Sequence, residues 1–187
     1  MSRPLIVSEF ISLDGVVDSP GGGAHPHAGW TFTDIDFVPE AYEIKGREQT
    51  EAGAMLLGRQ SYDEFAPVWP SMDEFADYNA MPKYVVSSTL SDPQWHNTSV
   101  LRSLDEVAAL KDSDADGSII VRGSATLAQG LLAAGLVDRY HLLVFPVLLG
   151  SGKRLFDDAA AAKTALALAE SASFSNGVQL QIFDVVK

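Results

Sequence analysis

The 187-residue chain has no cysteine. Disulfides, thiolate metal sites and a cysteine nucleophile are excluded together. A reducing compartment fits that composition. Basic residues are scarce: 13 Lys and Arg stand against 25 Asp and Glu, a formal net charge of −12. Such a surface repels phosphate backbones, so nucleic acid is not an expected partner. An anionic small molecule stays compatible, because a few local donors outweigh a distant field. Long apolar runs are also missing, and none approaches the ~20 residues that span a bilayer. The apolar start, Met1 to Leu13, is interrupted by Glu9, ended by Asp14 and followed by no small-residue cleavage site. Neither export nor membrane insertion is expected, and the cytoplasm is the expected location. No complete G-x-G-x-x-G occurs.

What is present is 47% hydrophobic and 20% charged, the composition of a globular domain rather than a disordered segment. The length suits one domain, residues 1–187, with no linker and no internal repeat. Leu5 to Leu13 reads as a buried first strand closed by the turn Asp14-Gly15. Ser19 to Gly29 is a long loop with Pro20, three consecutive glycines, His25 and His27, and loops of that length are usually functional or mobile. A helix is predicted over Asp36–Glu51, with Asp36 as N-cap and Pro39 in the first turn. The run Ala54–Leu57 is a strand, and Ser61–Phe65 a short helix.

Lys83–Ser88 and Val100-Leu101 read as strands. Leu104–Lys111 is a helix with Ser103 and Glu106 as a capping box. Ser118–Val121 is a buried strand, and Ala125–Ala134 a helix stopped by Gly135. Tyr140–Leu149 reads as one long strand that tolerates Pro146 by a bulge or at an edge. Ala159–Ala162 is helical by propensity. Ala165–Val186 is a β-hairpin turning at Asn176-Gly177. Alternating strands and helices give an α/β fold: a mostly parallel sheet, helices on its faces and a closing antiparallel hairpin.

Three places combine a strand end with anion chemistry. In Leu57-Gly58-Arg59-Gln60-Ser61 a strand runs through Gly into a helix whose first turn offers N–H groups and a cation. Arg59 is either a bidentate phosphate contact or a surface residue beside a cap. Ser87-Ser88-Thr89 sets three hydroxyls after a buried strand, where open α/β sheets collect ligands; an ordinary Ser/Thr turn has the same composition. Arg122-Gly123-Ser124-Ala125-Thr126 repeats the strand–Gly–helix pattern and can hold a pyrophosphate. Asp14 is a candidate general acid or a turn former. His25 and His27 lack a third partner for a metal. Trp30 stacks on a ring or anchors its loop. Lys153-Arg154, in a Gly-rich turn, carries charge to the site or only to solvent.

These segments, together with Ser12-Leu13-Asp14-Gly15, Gly29-Trp30 and Gly135-Leu136-Val137-Asp138 through Pro146-Val147-Leu148-Leu149-Gly150-Ser151-Gly152-Lys153, resemble the dihydrofolate reductase-like proteins related to the reductase domain of the bifunctional riboflavin biosynthesis deaminase/reductase. The resemblance runs through nearly the whole chain. It implies NADPH across the C-terminal ends of the strands. Gly58, Arg59 and Ser61 with Ser87, Ser88 and Thr89 would flank the adenosine phosphates, and Gly123–Thr126 would face the pyrophosphate. Relatives carry Gly-Gly where this chain has Arg122-Gly123, so Arg122 either restricts the backbone or points its charge at a phosphate. The deaminase half, whose zinc site needs cysteines, is not expected.

The expected activity is an NADPH-dependent reduction of a small heterocycle, most like the 5-amino-6-(5-phosphoribosylamino)uracil reductase step. Asp14 is the first and His27 the second candidate proton donor. Trp30 is the candidate substrate contact, and no metal is expected. Dihydrofolate reductase-type activity, a dinucleotide-binding protein without efficient catalysis, and a purely structural module are the alternatives. A homodimer is expected, with Tyr140–Val147 contributing to the interface.

Overall fold

The computed structural model describes residues 2–156 and 163–187. Among the described residues five α-helices and eight strands follow one another as β1 (Leu5–Ser12), α1 (Pro39–Glu51), β2 (Ala52–Gly58), α2 (Arg59–Phe65), α3 (Ala76–Ala80), β3 (Lys83–Val86), β4 (Thr98–Leu101), α4 (Leu104–Lys111), β5 (Ser118–Arg122), α5 (Ala125–Ala133), β6 (Arg139–Phe145), β7 (Leu166–Ser173) and β8 (Gln179–Val185). The strands form one sheet in the order β4-β3-β2-β5-β1-β6-β8-β7. Pairings from β4 to β6 are parallel, whereas β8 runs antiparallel to both β6 and β7. The expected fold class is therefore observed, closing hairpin included.

Both faces are covered. Val107 of α4 and Ala125, Ala128 and Leu131 of α5 pack on Leu5, Val7, Leu56 and Val121. On the opposite face Ala41 and Ile44 of α1 meet Leu143, Phe145 and Leu180. Tyr62 of α2 and Tyr78 of α3 cover Ile6, Met55 and Ile120 beside them. Successive residues of β1, such as Val7 and Ile6, thus go to opposite faces. This explains why the parallel strands read as unbroken apolar runs.

Several local expectations need correction. α1 starts at Pro39 with Val38 as N-cap and no side-chain cap, not at Asp36. Proline at the first helical position replaces a capping hydroxyl, because its missing N–H is one of the orphan donors. The Ser103 hydroxyl does accept from the Glu106 N–H, but the Glu106 carboxylate reaches back to the N–H of Arg102 rather than of Ser103. β6 ends at Phe145, so Pro146 is outside the strand rather than bulged within it; proline has no N–H to continue a ladder. β6 also lies between β1 and β8 and buries most of its residues, so it offers no edge to a second copy. The helix expected over Ala159–Ala162 lies outside the described residues. The hairpin turn is as read: Gly177 has φ +83, and the Asn176 side chain accepts from the Val178 N–H at 3.1 Å.

Candidate active site

The C-terminal ends of β2, β3 and β5 converge, as expected for a ligand edge in an α/β sheet. At the centre is a seam between β2–α2 and β5–α5. The Gly58 N–H donates to the Ser124 hydroxyl at 2.8 Å, and that hydroxyl donates to Ser61 at 2.7 Å. Gly123 and Ser124 are both left-handed, with φ +58 and +69. Such a conformation in a non-glycine residue is strained and persists where its surroundings fix it; here the two hydrogen bonds to Ser124 do so. The turn opens α5, whose first intrahelical bond runs from the Ala128 N–H to the Ser124 carbonyl. The amides of Ala125, Thr126 and Leu127 thus have no intrahelical acceptor, and Thr126 is exposed beside them.

A Cβ on Gly123 would lie 2.9 Å from the Ser61 hydroxyl. Gly123→Ala therefore combines a left-handed alanine with a displaced seam. It should cost about 1–2 kcal/mol from the backbone alone, measured as a lower urea midpoint at unchanged slope. A wild-type midpoint would refute the tight seam.

Cations flank this centre despite the acidic chain. Arg59, at the start of α2, is exposed; it pairs with Asp63 at 2.8 Å and its NH1 lies 3.4 Å from the Thr89 hydroxyl. Arg102, which follows β4, donates to the Ser87 carbonyl at 2.7 Å. Two guanidiniums therefore bracket Ser87-Ser88-Thr89. Ser88 and Thr89 are exposed, whereas Ser87 is buried, its hydroxyl accepting from the N–H groups of Thr89 (3.3 Å) and Leu90 (3.1 Å). Ser87 is thus the turn former of the three. Lys153 reaches Gln60 beside Arg59. Arg102 escaped sequence reasoning because its strand-to-helix connection carries no glycine and its partner, the Ser87 carbonyl, follows another strand.

Other expected residues are placed elsewhere. Arg122 does not point to a phosphate, and its expected cofactor contact is corrected. It is a buried strand residue without positive φ, so it does not restrict the turn that follows. Its guanidinium lies 2.7 Å from the Glu48 carboxylate, bonds the Tyr78 hydroxyl and stacks over the Tyr78 ring at 4.9 Å. The same carboxylate accepts from Ser8 (2.7 Å), contacts His141 Nδ1 (2.8 Å) and lies 3.5 Å from Lys45. Ser8 is in register with Arg122 on one side and His141 on the other, so one row across β5, β1 and β6 meets Glu48 of α1.

The Asp14 carboxylate accepts from the Ser12 hydroxyl (2.6 Å) and the N–H groups of Leu149 (3.1 Å) and Gly150 (2.8 Å). Burial opposes its charge, but Ser12 and the amides of Gly150, Leu149 and Asp14 itself bring the carboxyl down to about 2. Ionised at neutral pH, it has no proton to give. The general-acid role is corrected to a staple between β1 and the loop after β6. Trp30 is corrected likewise: it is 4% exposed, donates to the Asp18 carbonyl at 2.8 Å and packs edge-on against Phe145, so it anchors its loop. His25 is buried, accepts from the His27 N–H at Nδ1 and donates from Nε2 to the Ser151 carbonyl at 3.0 Å. His27 is exposed on the same loop.

A cavity of about 540 Å³ lies at the opposite ends of the strands, near Ser2, Ser118 and Asp138. Most of its charges pair with one another, Lys111 and Lys187 with Asp138 and Arg139 with Asp184, while Glu51 lines it as well. It is an ion-paired rim rather than a second candidate. Among the described residues no helix is long and apolar enough to cross a membrane, and no group of three acidic or histidine side chains could hold a metal.

Known proteins resemble the chain along nearly its whole length. The chain is 26% identical over 186 residues to the uncharacterized protein YyaP of Bacillus subtilis, covering 94% of this chain and 92% of that one. It is 26% identical over 190 residues to YwjB of the same organism, covering 96% and 97%. Among solved structures, a protein of Shewanella sp. PV-4 described under riboflavin biosynthesis matches with a TM-score of 0.77 at 20% identity over all of both chains. Dihydrofolate reductase from Enterococcus faecalis, complexed with NADP(H), matches with a TM-score of 0.62 at 13% identity over 98% and 97%. These two likenesses establish the fold. Residues 3–180 match the RibD C-terminal domain, and the chain belongs to that family.

Proposed function

We propose that this chain is an NADPH-dependent reductase of a small heterocyclic substrate, most like the 5-amino-6-(5-phosphoribosylamino)uracil reductase step of riboflavin synthesis. One observation carries the reading. Arg59 and Arg102 bracket the exposed hydroxyls of Ser88 and Thr89 beside the left-handed Gly123-Ser124 turn that opens α5. Guanidiniums and hydroxyls suit a ribose 2′-phosphate, and free amides at a helix start suit a pyrophosphate. When bound, the cofactor supplies the hydride. The chain orients it and supplies a route for the proton. With Asp14 held as a carboxylate, His27 is the remaining candidate of the original two. The same fate of Asp14 favours, as second reading, a dinucleotide-binding protein without efficient catalysis; turnover on pterins and pyrimidines separates the two. A homodimer in either reading has to use a surface other than β6, and β7 is exposed along its length.

Titration followed by cofactor fluorescence is the test. Wild type should bind NADPH at least about 10-fold more tightly than NADH, since charge-assisted hydrogen bonds contribute ~1.5–3 kcal/mol each. Arg59→Ala with Arg102→Ala should abolish most of that preference and leave NADH binding little changed. Equal affinity for the two cofactors would reject the 2′-phosphate assignment, and binding of neither would reject the reductase.

A further inference from the structure

Laid across the strand ends, the dinucleotide of the preceding reading has its adenosine phosphate between β3 and β2 and its pyrophosphate between β2 and β5. The next strand is β1. From β3 to β1 is three strand spacings, roughly 14 Å. β5 pairs with β1 only as far as Arg122 opposite Ser8. At Gly123 the backbone turns left-handed and leaves the sheet. Glu9 is the first residue of β1 beyond that last pair, while its other side still pairs with Leu142 of β6.

Alternation along β1 puts the Glu9 side chain on the face of Val7 and Ile11. Those residues share an apolar cluster with Leu142 and with Ala125 and Leu127 of α5. Glu9 is 3% exposed, and its Oε1 has no hydrogen-bond partner among the described residues. A buried carboxyl oxygen without a partner is costly and calls for an explanation. Packing does not supply one, because a leucine would fill the same space without the penalty.

We propose that the Glu9 carboxyl holds the carboxamide of the nicotinamide ring and so anchors that end of the dinucleotide. The proposal rests on the dinucleotide reading above. A neutral carboxylic acid presents one O–H donor and one carbonyl acceptor. A carboxamide presents a carbonyl and an N–H in the matching order, so two parallel hydrogen bonds form. A carboxylate could only accept. Burial pushes the Glu9 carboxyl up to about 8, against the pull of Lys45 and Arg122 and with the push of Glu48. The acid is therefore predominantly neutral at pH 7. Lys45 and Glu48 come from α1 and Arg122 from β5, on the far face of the sheet, where His141 of β6 contacts Glu48 as well.

The test compares NADPH with adenosine 2′,5′-bisphosphate, which carries the adenosine end and no nicotinamide. Glu9→Ala and Glu9→Leu should weaken NADPH about 10- to 30-fold, the equivalent of two net hydrogen bonds, and leave the bisphosphate unchanged. Glu9→Gln, whose amide also pairs with a carboxamide, should stay within about 3-fold of wild type. The ratio of the two affinities should fall above pH 8 in wild type and stay level in Glu9→Gln. If both ligands bind wild type and Glu9→Ala equally well, the proposal is overturned and the dinucleotide reading stands. Parallel weakening of both ligands assigns Glu9 to folding and also overturns it. If wild type binds neither ligand, the reading itself fails and the proposal with it.

Discussion

Glu48→Ala is expected to lower the unfolding free energy by about 3–5 kcal/mol, the usual cost of breaking a buried ion pair from one side. The Glu48 side chain is 1% exposed and lies between Arg122 at 2.7 Å, His141 at 2.8 Å and Lys45 at 3.5 Å. Burial opposes its charge, but Lys45 and Arg122, then His141 and Ser8, hold the carboxyl far below the usual range. Alanine would leave two buried cations facing each other with no anion between them. It would also take the acceptor from the Ser8 hydroxyl, which keeps only its bond from Lys45, and the partner from His141 Nδ1. Glu48→Gln keeps the volume and much of the hydrogen bonding, so it should recover part of the loss. Glu48→Leu combined with Arg122→Leu removes both charges and should be less destabilising than Glu48→Ala alone. Urea unfolding at pH 7 measures all three. A loss below about 1 kcal/mol for Glu48→Ala would mean that the cluster is hydrated rather than buried.

That cluster marks the boundary of what the sequence discloses. The three strand-to-turn segments are legible because the signal is local: hydroxyls follow a buried strand within a few residues, and in two of the three a glycine stands between them. The hairpin is legible for the same reason at Asn176-Gly177. Arg122 is misread because alternation fixes the face of a strand residue but not its partner. Glu48, which claims it, stands on a helix far away in sequence. Strand order is hidden likewise. Nothing local says that β6 lies between β1 and β8, and so an apolar strand passes for an interface. Trp30 and Asp14 belong to loops, where the acceptor that commits a side chain (the Asp18 carbonyl) or the donors that ionise one (the Leu149 and Gly150 amides) depend on the tertiary path. Glu9 enters the sequence reading only as the break in an apolar N-terminus. The available signal is a lone carboxyl inside a run otherwise fit to be buried.

Glu9 also sets the second large effect, on stability against pH. Its carboxyl titrates at about 8 in the folded chain and at about 4.3 unfolded. A raised folded value means that its stabilising contribution is complete below the unfolded value and is lost as pH rises through the folded one. Between pH 4.3 and 8 only the unfolded chain releases this proton, so the folded state loses ground throughout that window. At 1.36 kcal/mol per unit the accumulated loss is on the order of 4–5 kcal/mol. The window is favourable for isolating the effect. The Glu48 carboxyl has a lowered value, so its linked change falls below the ordinary carboxylate range. Lys45 is lowered by burial to about 8, against the pull of Glu48, so its change falls between about 8 and its unfolded value near 10.4. Glu9→Gln, which cannot ionise, should match wild type near pH 4 and exceed it by a margin that grows until pH 8. Urea unfolding of the two proteins at pH 4.5, 6, 7 and 8 gives that margin directly. A constant difference across the series would mean that the Glu9 carboxyl is already ionised in the folded chain, held by Lys45 and Arg122 across the sheet.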